Sequence, residues 1–173
     1  MLNKKVEKGL NEQVTKEIAS SYLYLQMAAW CENHSLKGFG TWLRVQAQEE
    51  LAHGMIFFNH LLERGAMVKL GPLSQPEAEF ASVLDVFERV LRHEEGVTAS
   101  INAIMDAASQ AKDYASQRRL DWFISEQVEE EANATETIAK LKMIGDSNAI
   151  FVLDTEMGAR IFVMPPPLAT AGA

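Results

Sequence analysis

A chain of 173 residues, 47% hydrophobic and 23% charged, is long enough to bury one substantial core and too apolar for general disorder. Its 24 Asp and Glu against 16 Lys and Arg give a net charge of −8, which disfavours nucleic acid and anionic lipid as partners and favours cations. The single cysteine, Cys31, excludes an internal disulfide and any CxxC zinc or iron–sulfur motif, so a reducing cytoplasm is the expected setting.

Apolar residues recur at helical spacing along most of the chain. The opening Met1-Leu-Asn-Lys-Lys-Val6-Glu has no apolar stretch, so no secretory signal is expected, and no uncharged run is long enough for a membrane span. A first helix is predicted from about Lys5 to Asn33 and is broken by His34-Ser-Leu-Lys-Gly38. The second runs from about Phe39 to Arg64, with Gly65 placed as a left-handed stop. A stretch without period follows, Ala66 to Ala81, carrying Gly71-Pro72 and Pro76. Ser82 is placed to cap a third helix ending near Ala111, and Asp113 to cap a fourth ending near Met143, before Gly145. A short fifth helix opens at Ser147 or Asn148 and reaches about Arg160. One domain is therefore expected over residues 1–161, with a loose tail over 162–173.

Loop lengths decide the topology. The breaks between helices one and two, and between three and four, are short, so each pair is an antiparallel hairpin. The second helix is about 39 Å long, and the linker after it can stretch to roughly 53 Å. It can therefore return the chain to the end from which helix two began. The predicted fold is all-α: a four-helix bundle with one long crossover, the ferritin-like arrangement, plus a short C-terminal fifth helix.

On helical wheels, Glu17 falls on the stripe of Leu10, Val14 and Tyr24, and Glu50 on that of Leu43, Ala47 and Phe57. Glu94 falls with Phe87, Val90 and Ile101, and Glu130 with Phe123 and Leu141. Each acid lies near the middle of its helix, so the four converge on one level. A single buried, unpaired carboxylate costs several kcal/mol, and four in one core demand a multivalent cation or protonation. Glu50-Leu-Ala-His53 adds an imidazole three residues on, on the same helix face. A Glu from each of two helices plus Glu-x-x-His from the others is the ligand set of di-iron carboxylate bundles.

The fourth helix departs from that set, reading Gln127-Val-Glu-Glu130 where a second Glu-x-x-His would stand. One metal would take Glu17, Glu50 and His53, and the other Glu50, Glu94 and Glu130, with Glu50 bridging. Oxygen ligands with one imidazole suit iron or manganese. So few ligands leave coordination positions open for water, dioxygen or peroxide.

Glu17 with Ser21-Tyr-Leu-Tyr24, Gln48-Glu-Glu-Leu-Ala-His53, Val86-Phe-Glu-Arg-Val-Leu-Arg-His-Glu94, Glu126-Gln-Val-Glu-Glu130 and Asn148-Ala-Ile-Phe-Val-Leu-Asp154 together resemble bacterial non-haem ferritins. That resemblance covers almost the whole chain. It implies a homo-24-mer shell that oxidises Fe(II) with O2 or H2O2 at a ferroxidase centre inside each subunit and stores the ferric mineral. It implies ligand roles for Glu17, Glu50, His53, Glu94 and Glu130, and a third iron site from Glu49, Glu126 and Glu129 with Glu130. The same three acids also read as an ordinary solvated face. Gln127 resembles a side chain that hydrogen-bonds the oxygen-derived bridge. Tyr24 and Trp122 resemble aromatics that donate electrons, although Trp122 reads equally as packing. Haem is not expected, because Leu51 stands where bacterioferritins place a haem-binding Met. A peroxide-consuming or organic-substrate di-iron oxidase, and a structural bundle holding a static cation, remain open at this point.

Overall fold

A computed structural model describes residues 2–145 and 148–169, and among these every regular element is helical. The elements are α1 (Lys4–Asn33), α2 (Lys37–Glu63), α3 (Val83–Gln110), α4 (Tyr114–Ile144), α5 (Ile150–Met157) and α6 (Pro166–Ala169). Helix α3 starts where Ser82 accepts a hydrogen bond from the Asp85 amide, and α4 where Asp113 accepts one from the Ser116 amide. These are the caps that the short polar side chains predict. Gly65 (φ 70°) follows the end of α2 and Gly145 (φ 55°) closes α4, both in the left-handed region where a side chain is strained. No described helix is long and apolar enough to cross a membrane.

Two boundaries differ from the expected ones. Helix α2 begins at Lys37 rather than Phe39, and its own N-cap, Leu36, has no capping side chain. The acceptor comes from α5: Asp154 Oδ1 receives the Phe39 amide at 2.9 Å. A Cβ on Gly38 would lie 1.5 Å from the Asp154 carbonyl oxygen, so only glycine lets α5 dock there. Helix α5 is shorter than expected, Ile150–Met157, and the candidate start at Ser147 lies outside the described residues. Within the expected tail, Pro166–Ala169 forms a helical turn, and Leu168 packs on the core.

The linker between α2 and α3 runs the length of α1. Asn11 binds it at the Met67 carbonyl and the Lys69 amide, and Thr15 Oγ1 accepts from the Gly71 amide. Near the other end of α1, the Trp30 ring meets Phe80 edge-on at 5.7 Å. Thus α3 begins beside the end of α1, and α2 and α3 run the same way. Arg64, just past α2, pairs with Asp113, just before α4, at 2.8 Å, which makes those two helices antiparallel.

The apolar interior is two cores rather than one. One holds Tyr24, Phe39, Leu43, Phe87 and Leu141, with Leu153 of α5. The other holds Leu10, Val14, Phe57, Ile101 and Phe123. Every candidate ligand in the bundle core falls, along its own helix, between the residues of these clusters. Cys31 is buried in the first core, and burial pushes its thiol up to about 12, so it behaves as a small hydrophobe.

Candidate metal centre

The layer between the two cores is polar and buried. Glu17, Glu50 and Glu94 are each 1% exposed, Glu130 is 4% exposed and His53 is 1% exposed. One ligand atom from each of Glu17, Glu50 and His53 lies within 4.8 Å of the others, and among the described residues this trio alone is brought together so closely. Helix geometry sets part of this: Glu50 and His53 are three residues apart on α2, and Glu50 Oε2 is 3.8 Å from His53 Nδ1.

Four buried polar atoms in this layer have no hydrogen-bond partner: Glu17 Oε2, Glu94 Oε2, and both His53 ring nitrogens. Buried polar groups in native proteins are satisfied almost without exception. Carboxylate oxygens and an imidazole left without partners in one buried layer are donors suited to a hard or borderline divalent cation such as iron.

The remaining ligand atoms are held in place. Gln13 Nε2 donates to Glu17 Oε1 at 2.9 Å, and Gln46 Nε2 donates to Glu50 Oε1 at 3.0 Å. Each glutamine amide is itself fixed: Ser100 Oγ donates to Gln13 Oε1 at 2.6 Å, and Arg160 Nη1 donates to Gln46 Oε1 at 2.7 Å. Tyr24, fully buried, donates its hydroxyl to Glu94 Oε1. This contact turns Glu94 toward α1, and the second expected trio of Glu50, Glu94 and Glu130 is less tightly drawn than the first. The His53 ring stands edge-on to Trp122 at 5.4 Å and to Phe123 at 5.6 Å.

Electrostatics follow from burying so many acids. Burial and then the Glu50 charge push the Glu17 carboxyl well above its usual range, and the same causes, with Glu130, raise Glu94. Burial and Glu50 push Glu130 up to about 7. Burial alone would depress His53, but the adjacent carboxylate of Glu50, then the charge of Glu17, push it up to about 10. Burial opposes Glu50 ionisation, yet the close approach of His53 and Glu17 and the Gln46 hydrogen bond leave its carboxyl below the usual range. Burial and then the charge of Glu94 push Tyr24 well up, so its phenol stays protonated.

The other expected residues lie around this layer. Gln127 is buried, and its Oε1 accepts from Thr98 Oγ1 at 3.1 Å. Glu126 is half-buried, Glu129 is exposed, and Glu49 is paired with Arg160. Burial raises both Glu49 and Glu126. Sequence reasoning missed Gln13, Gln46 and Arg160. The two glutamines each sit one turn before a ligand Glu, a signal available in principle, whereas nothing local marks Arg160.

A model of the ferritin-like domain family matches residues 7–144. The chain is 41% identical over 155 residues to a bacterial non-heme ferritin of Campylobacter jejuni, covering 89% of this chain and 93% of the relative. It is 39% identical over 163 residues to the bacterial non-heme ferritin of Staphylococcus aureus, covering 94% and 98%. Among solved structures, the open pore ferritin of the hyperthermophilic archaeon Archaeoglobus fulgidus superposes with a TM-score of 0.91 at 43% identity, covering 92% of this chain and 98% of that one. An engineered closed form of that ferritin gives 0.91 and 43%, covering 94% and 100%.

Proposed function

This chain belongs to the ferritin family, and from that premise we propose that it stores iron, oxidising Fe(II) to Fe(III) at the buried centre with O2 or H2O2 as oxidant. The observation that carries the reading is the set of four unpartnered polar atoms on Glu17, His53 and Glu94, in a layer that a water-soluble bundle would otherwise fill with apolar side chains. A second metal would sit between Glu50, Glu94 and Glu130, with Glu50 shared. Each Fe(II) gives up one electron to the oxidant.

The chain's own residues do four things in this reaction. Gln13 and Gln46 orient Glu17 and Glu50, so the remaining carboxylate lone pairs point inward. Phe123 and Trp122 wall the His53 side against bulk water. Tyr24 donates its hydroxyl to Glu94 Oε1, which orients that carboxylate of the second position, and can also supply an electron. Gln127 presents an amide at the same level, where it can hydrogen-bond an oxidant-derived oxygen. Oxidised iron then passes outward by way of Glu126, Glu129 and Glu49, the third site, into the cavity of a homo-24-mer in the cytoplasm.

Two measurements test this. Glu50→Ala should slow rapid aerobic Fe(II) oxidation by more than the roughly 10–100-fold typical of losing a residue that merely supports a ligand. Stopped-flow kinetics that match the unsubstituted protein would leave only a static cation-holding bundle. Aerobic loading should continue far past two irons per subunit with a mineral core visible by electron microscopy; a halt at two would remove the storage role.

A further inference from the structure

Arg160 stands out because it belongs to no helix and yet reaches the metal layer. Its Nη1 donates to Gln46 Oε1 at 2.7 Å, its Nη2 pairs with Glu49, and its guanidinium lies 4.3 Å over the Trp42 ring. Gln46 in turn donates to Glu50 Oε1. One cation thereby fixes the Gln46 amide that holds Glu50 and neutralises Glu49 of the outer acids. Its charge is also felt at Glu126 and Glu130.

The chain beyond Arg160 extends this contact into a strap. Pro167 lines a surface cleft with His60, Arg64 and Trp122, and α6 packs on α2. From Gln46 to His60 along α2 is about 21 Å, and from Arg160 to Pro167 an extended chain spans roughly 23–25 Å. The segment therefore runs along α2 nearly fully extended, past His53 and Trp122. Arg160 anchors its upstream end.

We infer that Arg160 is the resident counter-cation of the outer acidic patch, positioning Glu50 through Gln46, and that a metal ion binding Glu49 must displace its guanidinium. The inference rests on the reading of Glu49 and Glu126 as an outer iron site. It makes the strap and the outer cation mutually exclusive occupants of Glu49. A planar fork suits this role, since it bridges an amide oxygen and a carboxylate at once while stacking on an indole.

Anaerobic calorimetric titration with Zn(II), which is redox-inert, tests it without reference to iron oxidation. Two phases are expected, a tight one at the buried centre and a weaker one at the outer acids, and Glu126→Gln should abolish the weaker. Arg160→Gln should tighten the weaker phase by about tenfold or more, because a competing charge beside Glu49 is gone. Arg160→Lys, which keeps the charge, should return it to within about threefold of the original. In a Trp30→Phe, Trp122→Phe background, Trp42 fluorescence should shift as the weaker phase fills, with Arg160 itself intact. A weaker phase unchanged in Arg160→Gln but lost in Glu126→Gln overturns the role of Arg160 and leaves the outer site standing. A silent Trp42 during that phase overturns displacement. A weaker phase indifferent to Glu126→Gln overturns the outer site, and the inference with it.

Discussion

His53 sets the electrostatic character of the centre, because both its ring nitrogens lack partners in a layer crowded with carboxylates. With no divalent cation the layer balances its charge with protons: His53 is pushed up to about 10 and Glu130 up to about 7, while Glu17 and Glu94 rise well above their usual range. Raised carboxyls stabilise the fold only while protonated, so their contribution fades as pH climbs from the unfolded value of roughly 4.5. For Glu130 it is gone above about 7. The His53 contribution is complete below roughly 6.5 and disappears as pH passes about 10. Glu50, held low, acts oppositely and loses its contribution on acidification. A bound cation replaces the protons. The stabilisation conferred by saturating Zn(II), read as the rise in Tm, should therefore grow between roughly pH 5.5 and 8.5; a rise independent of pH would contradict the proton-filled layer. The four glutamates were legible in the sequence because an acid on an apolar stripe is a conflict that demands an explanation. Gln13 and Gln46 carry no such conflict, since a buried amide is satisfied by ordinary hydrogen bonds. Arg160 is invisible for a different reason: its contact with Gln46 spans most of the chain and depends on how α5 docks.

Helix boundaries were legible where a local residue makes them. Ser82, Asp113, Gly65 and Gly145 each act through their own cap or φ angle, and each stands where the spacing placed it. The start of α2 was not legible, because Asp154 of α5 supplies the acceptor at the Phe39 amide. Docking of α5 thus rests on a tertiary cap and one missing side chain. Asp154→Ala should cost about 1 kcal/mol of unfolding free energy, the value of a lost cap. Gly38→Ala should cost more, about 1–3 kcal/mol, because a Cβ there overlaps the Asp154 carbonyl. Denaturant titration measures both, and faster proteolysis within α5 of the Gly38→Ala protein would localise the damage. Equal stability of the three proteins would mean that α5 is not held by this contact. The crossover was legible from length alone, whereas its path along α1 through Asn11 and Thr15 was not, since polar surface residues at those positions bond water equally well.

At the scale of the whole molecule, function and stability oppose each other. Apolar residues at mid-height would join the two cores, but the layer there is occupied by Glu17, Glu50, His53, Glu94 and Glu130. Replacing buried ionisable groups by apolar ones of similar volume is often neutral or stabilising by about 1–4 kcal/mol. The double substitution Glu94→Met with Glu130→Met should accordingly raise the unfolding free energy of the metal-free protein within that range while abolishing rapid Fe(II) oxidation. Loss of stability in that variant, measured in the presence of a chelator, would show that the acids support the fold in their own right. The wheel patterns made this trade-off visible beforehand: they put all four acids on buried stripes, and the bundle brings three ligand atoms within bonding reach of one ion.

The split interior has one more consequence. Helical bundles ordinarily carry apolar packing through the middle, but here that packing is split into two cores and the waist between them is polar. An ion held by Glu17, Glu50 and His53 would therefore tie α1 to α2 at the one height where apolar packing between them is missing. Loading should therefore stiffen the subunit at its waist, read as slower amide exchange there in the metal-bound protein than in the metal-free one.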